Sequence, residues 1–249
     1  MNLGLNGKTA LITCAGAGLG AACARQLRAE GVNVIGVRRS SVERTSGGPP
    51  IRWINCDITD APSLAHSVRS VGPVDVVIYI PVRERASSAQ TARSVDYAEA
   101  VSRTFDPCLT LLQELLPGMT SRKFGRFVNV IGASVLAPLW DHTLSNVSRA
   151  ATLALYSGAA REVAASGVTF NTVVLGLFDT PGLRELWFSR AGSSEKFEQY
   201  KAQRLAEIPG GKMGDPIQCA MLCALLASPA MGYLNGQSIW LDGGKNPRL

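Results

Sequence analysis

A glycine-rich run, Thr13-Cys14-Ala15-Gly16-Ala17-Gly18-Leu19-Gly20, lies between an apolar β-rich stretch and an amphipathic helical one. Glycines let a backbone turn sharply and approach a diphosphate, which then rests on the positive N-terminus of the following helix. Thr13, Gly16, Gly18, Leu19 and Gly20 are therefore candidate contacts to a dinucleotide. Arg38 and Arg39 stand at the end of the second apolar run, where a cofactor with a free ribose diol is usually met by a carboxylate. A guanidinium suits a 2′-phosphate, so the pair points to NADP(H) over NAD(H); as an alternative it is a solvated loop pair. Asp57 follows the third strand, where it can meet an adenine amino group, cap the next helix, or do both.

A second group lies in the centre of the chain. Ser145 and Arg149 are four residues apart on one face of an expected helix. An arginine cannot relay a proton, but it can hold positive charge beside a ribose, an oxyanion or a substrate carboxylate. His142, beside Asp141, reads either as a surface or capping residue or as an acid/base group. Tyr79 ends the fourth apolar run, at the edge where open α/β sheets place ligands, and is expected to pack on the cofactor. Trp140, Trp187 and Phe188 are either pocket walls or ordinary packing.

The elements that must position these groups alternate between strand and helix, as in βαβ units around a parallel sheet. Strands are expected at 9–13, 32–37, 51–55, 74–80, 126–131, 169–174 and 238–241, and helices at 18–30, 97–116, 145–165 and 216–227. Residues 40–50 are Ser/Gly/Pro-rich and too short for a full crossover helix with its loops. The polar stretch 183–208 is expected to be helical and is either a lid over the cleft or an exposed amphipathic helix. The predicted fold is α/β: a Rossmann-type doubly wound parallel sheet in a three-layer αβα sandwich, one domain over 1–249.

Composition bounds the remaining possibilities. The chain has 249 residues, 46% apolar and 18% charged, which suits one large buried core. No apolar run approaches the roughly 20 residues of a bilayer span, and the N-terminus has no secretory pattern. The net charge of +6 is dispersed rather than striped with aromatics, which argues against nucleic acid and leaves a preference for anionic ligands. Six scattered cysteines without a CxxC pair read as reduced residues of a cytoplasmic protein, and with two histidines no metal site is expected.

The chain resembles the short-chain dehydrogenase/reductase family over nearly its whole length. Gly7 to Thr13 and the turn to Gly20 look like that family's TGxxxGxG start, Asp57-Ile58 like its adenine-binding step, and 125–130 like its fifth strand. Gly176 and Thr180 stand where it places a PG turn and a cofactor-binding threonine, and 233–244 resembles its C-terminal signature. The resemblance implies a nicotinamide cofactor, a small-molecule substrate and a homodimer or homotetramer. It also shows departures. Cys14 stands at the first motif glycine, and Tyr79-Ile80-Pro81-Val82 replaces Asn-Asn-Ala-Gly. The family's catalytic Asn, Ser, Tyr and Lys fall on Thr104, Gly132, Ser145 and Arg149, with Ser134 close enough to substitute for the serine. Ser145, Arg149, Ser134, His142 and Thr104 are thus the catalytic candidates. Three functions remain open: an oxidoreductase with a remodelled site, a non-redox lyase, isomerase or cyclase on this fold, or a cofactor-binding but inactive subunit.

Overall fold

The computed structural model describes residues 2–39 and 50–246. Seven strands form one parallel sheet: β1 (Thr9–Ile12), β2 (Asn33–Arg38), β3 (Arg52–Asn55), β4 (Val76–Tyr79), β5 (Gly125–Gly132), β6 (Val168–Leu175) and β7 (Ser238–Leu241). Their order is β3-β2-β1-β4-β5-β6-β7, which confirms the Rossmann-type expectation. The central strands are short runs of Val, Ile and Leu because both their faces are covered.

Side-chain alternation divides the core. In β1, Ala10 and Ile12 join the layer of α1 (Gly18–Ala29) and α7 (Pro216–Ala227). Leu11 points the other way, to the layer of α2 (Ala61–Arg69), α3 (Ser94–Ser121) and α4 (Thr143–Glu162). Phe127 and Phe170 stack at 4.5 Å between centroids in this second layer, with the Tyr156 ring edge-on to both.

Several elements differ from expectation. Helix α2 is anticipated only through the capping alternative for Asp57, without bounds. It is short and buries only Leu64 and Val68, a pattern too sparse to stand out, yet Asp60 caps it by accepting from the Ser63 N–H. Helix α3 runs past both expected ends. At its start the Arg93 N–H donates to Asp96 Oδ2 at 2.8 Å, and Pro117 does not stop it. The 183–208 stretch forms two helices, α5 (Pro181–Ala191) and α6 (Ser194–Ala206). The expectation that 40–50 is too short for a full crossover helix falls on residues 40–49, which lie outside the described residues. Among the described residues no helix is long and apolar enough to cross a membrane.

The sheet order reverses between β1 and β4, and ligands of open α/β sheets bind outside the carboxyl ends at such a point. Here Thr13 joins the two strand ends: its Oγ1 donates to the Ile80 carbonyl at 2.8 Å and accepts from the Ile80 N–H at 2.7 Å.

Candidate active site

A cleft of about 820 Å³ opens over this crevice. Gly16, Gly18, Leu19 and Gly20 form its floor, Arg38 and Arg39 one end, and Asp57 and Ile58 a wall. Gly20 is forced by packing: a Cβ there would lie 2.3 Å from the Cys14 carbonyl oxygen. Cys14 itself holds φ at +51°, the left-handed conformation that favours glycine. Helix α1 has Ala17 at its N-cap, with no side-chain cap and no acid in its first turn, so its positive end is left open to an anion.

Arg38 is held in place. Its guanidinium lies 4.0 Å over the Trp53 ring and its Nε donates to Asn55 Oδ1 at 3.2 Å. Asp57 Oδ1 accepts from both the N–H and the hydroxyl of Thr59, at 3.0 and 2.9 Å. The Thr59 N–H is the main reason that its carboxyl is held below the usual range. Because Asp60 caps α2, the capping alternative for Asp57 falls away. Taken together, the open helix end, the three glycines and the terminal guanidinium fit a dinucleotide.

The cleft continues into an inner pocket of about 310 Å³, and Leu19, Ile80, Arg83 and Thr180 line both. The inner pocket brings together Ser145, Arg149 and His142. Ser145 is almost fully buried on the first turn of α4. His142 Nδ1 lies 2.8 Å from Asp141 Oδ1, and Arg190 Nη2 lies 2.7 Å from Asp141 Oδ2. Burial would raise the Asp141 carboxyl, but the His142 hydrogen bond and the charges of His142 and Arg190 hold it below its ordinary value. Thr180 caps α5 by accepting from the Leu183 N–H at 3.3 Å, and α5 closes the pocket with Leu183, Leu186 and Arg190.

Glu84, with its neighbour Arg83, is a charged pocket residue that sequence reasoning missed. It lies in the loop after β4, a position with no periodicity to mark it. The loop is stapled to the start of α4: the Ser87 N–H donates to the Asp141 carbonyl at 3.0 Å, and the Thr143 N–H to the Ser87 carbonyl at 3.1 Å. This brings Glu84 into the pocket wall with Arg149, its side chain only 6% exposed and 3.6 Å from the Arg103 Nε. Burial raises the Glu84 carboxyl against the pull of Arg103 and Arg149. Burial likewise lowers Arg149, and Glu84 opposes it. Both line the pocket that Ser145 also lines.

Other expected residues lie elsewhere. Tyr79 does not reach the cofactor cleft. As the alternate residue of β4 it points with Val77 into the α3/α4 layer, fully buried, and its hydroxyl donates to the Thr104 carbonyl at 2.5 Å. Thr104 is sealed in the same layer and lines neither cavity. Thr13 serves as the β1–β4 clamp and also lines neither. Ser134 is buried in the short 3-10 turn after β5, outside both cavities. Gly176 lines the inner pocket rather than the cofactor cleft, pressed against Asp242, whose Cα would lie 2.7 Å from a Cβ there. None of Trp140, Trp187 and Phe188 lines either cavity: Trp140 is 82% exposed, Trp187 packs edge-on to Tyr200, and Phe188 meets Phe197, while Phe178 is the ring in the inner pocket wall.

Residues 14–246 match the family described as enoyl-(acyl carrier protein) reductase. The chain is 26% identical over 252 residues to the 3-oxoacyl-[acyl-carrier-protein] reductase FabG of Vibrio harveyi, covering 97% of this chain and 98% of that protein. It is 28% identical to 2-keto-3-deoxy-L-fuconate dehydrogenase of Xanthomonas campestris, covering 98% and 81%. Among solved structures, a 3-oxoacyl (acyl-carrier-protein) reductase from Agrobacterium tumefaciens with NADP bound aligns with TM-score 0.85 and 26% identity, over 97% and 95% of the two chains. The NADPH and L-sorbose complex of L-sorbose reductase from Gluconobacter frateurii aligns with TM-score 0.91 over the whole of both chains; at 22% identity this likeness concerns the fold.

Proposed function

The chain belongs to the short-chain dehydrogenase/reductase family, and on that premise we propose that it is an NADP(H)-dependent oxidoreductase acting on a small carbonyl or alcohol compound at a remodelled site. The observation that carries the cofactor reading is Arg38, anchored on Trp53 at one end of the cleft whose floor is the open start of α1. The NADP bound to the Agrobacterium tumefaciens reductase supports it.

The remodelling reading rests on the inner pocket, where Ser145 and Arg149 occupy the positions that the family resemblance gives to its tyrosine and lysine. The nicotinamide supplies or accepts a hydride when bound. Arg149 draws electron density toward the substrate oxygen, and the Ser145 hydroxyl orients that oxygen. Neither is a suitable proton donor, so the proton comes from His142, held by Asp141, or from Glu84. The cationic lining (Arg83, Arg149, Arg190) favours a substrate with an anionic group. In this reading α5 is a lid, fastened by Arg190 to Asp141. A cytoplasmic homodimer or homotetramer, paired through α3 and α4, completes the proposal; exposed Val95 and Val147 on those helices support it.

The test is a titration with NADPH and NADH followed by nicotinamide fluorescence. Tighter binding of NADPH is expected, then its oxidation with members of an oxo-acid and ketone panel. Failure of both nucleotides to bind would sink the redox reading. Binding without turnover would favour an inactive subunit.

A further inference from the structure

Three cysteines far apart in sequence meet in the opposite layer of the molecule. Cys23 lies on α1, and Cys219 and Cys223 lie one turn apart on one face of α7. All three are fully buried, and their sulfurs lie within 4.8 Å of one another. The approach follows from small neighbours: Ala22 and Ala24 on α1 and Ala220, Ala224 and Ala227 on α7 let the two helices pack closely. No histidine or carboxylate among the described residues joins the three sulfurs, and no cationic side chain contributes to the acidity of any of them.

Charge decides what such a site can hold. A divalent ion on three thiolates leaves one net negative charge in an apolar layer, which is costly without a partner. A trivalent thiophilic centre on three thiolates is neutral, and sulfur is the soft donor that such a centre prefers.

We propose that Cys23, Cys219 and Cys223 form a binding site for trivalent arsenic. The ligand enters as neutral arsenous acid. Three As–S bonds form and three As–O bonds break, and each thiol proton leaves with a hydroxyl as water. The oxidation state of arsenic is unchanged, and no charge is left in the core. The sulfurs, within 4.8 Å of one another, are near enough for side-chain rotation to complete the shell. Cys23 is the sixth residue of α1, the helix whose N-terminus floors the cleft, so the site lies within two turns of that end.

The experiment incubates the reduced full-length chain with sodium arsenite, removes the excess, and reads the arsenic content by mass spectrometry and the arsenic environment by X-ray absorption. One arsenic per chain bound to three sulfurs is expected. Cys223→Ala and, separately, Cys219→Ala should lose the three-sulfur environment and most of the retained arsenic. Cys14→Ser and Cys108→Ala, outside the cluster, should keep both. Near-ultraviolet circular dichroism establishes that each variant is folded. Arsenic held by two sulfurs or fewer in the wild type, equal retention by a folded cluster variant, or loss on replacing Cys14 would each overturn the assignment.

Discussion

Arg149 Nη1 lies 3.0 Å from the point where a Cβ on Gly132 would project. The end of β5 therefore lacks a side chain at the place where the α4 guanidinium rests, and the two positions are one packing unit. Gly132→Ser would crowd the guanidinium out of the pocket wall, whereas a slimmer lysine at 149 would leave room. Gly132→Ser should thus be better tolerated beside Arg149→Lys than alone. A double-mutant cycle by chemical denaturation should give a coupling of about 0.5–3 kcal/mol. Additive effects would show that the two positions are independent.

Arg38 provides the test of cofactor choice. Replacing it by aspartate removes the charge expected to meet a 2′-phosphate and adds a repulsive one. NADPH affinity should fall about ten- to hundredfold, the scale of a lost charge-assisted hydrogen bond, while NADH affinity changes little. Equal losses for both nucleotides, read by fluorescence titration, would count against phosphate recognition.

Glu84 gives a pH signature. Burial raises its carboxyl, so the folded chain holds that proton more tightly than the unfolded chain does. Its contribution to stability is present below the ordinary glutamate range near ~4.3 and is lost as pH rises through the higher folded value. Glu84→Gln stays neutral throughout. It should be more stable than the wild type at neutral pH, and the difference should close on acidification. Denaturation midpoints measured across pH check this, and a difference independent of pH would contradict it.

Arg190 holds α5 over the inner pocket through Asp141. With the Asp141 carboxyl lowered, this support is present above the ordinary aspartate range near ~3.9 and fades as pH falls through the folded value. At neutral pH, Arg190→Ala should speed amide exchange in residues 181–191 roughly two- to fivefold, the scale of a partly exposed ion pair. Unchanged exchange would mean that apolar packing alone secures the helix.

The sequence by itself determined the sheet, the layers and the meeting of the glycine turn with Arg38 at one cleft. These follow from local signals: apolar runs of strand length, the glycines between β1 and α1, and a cation in place of an acid at the end of β2. Only the tertiary structure decided the rest. Tyr79 and Thr104 were expected in the site, but alternation along β4 turned the tyrosine into the core, and its hydroxyl took the Thr104 carbonyl. Glu84 carries no pattern, and the loop staple through Ser87 is what sets it beside Arg149. Cys23 lies almost two hundred residues before Cys219, and only the packing of α1 on α7 makes them neighbours. Backbone periodicity is written in consecutive residues, whereas the meeting of side chains from separate loops and helices depends on how the layers close on one another.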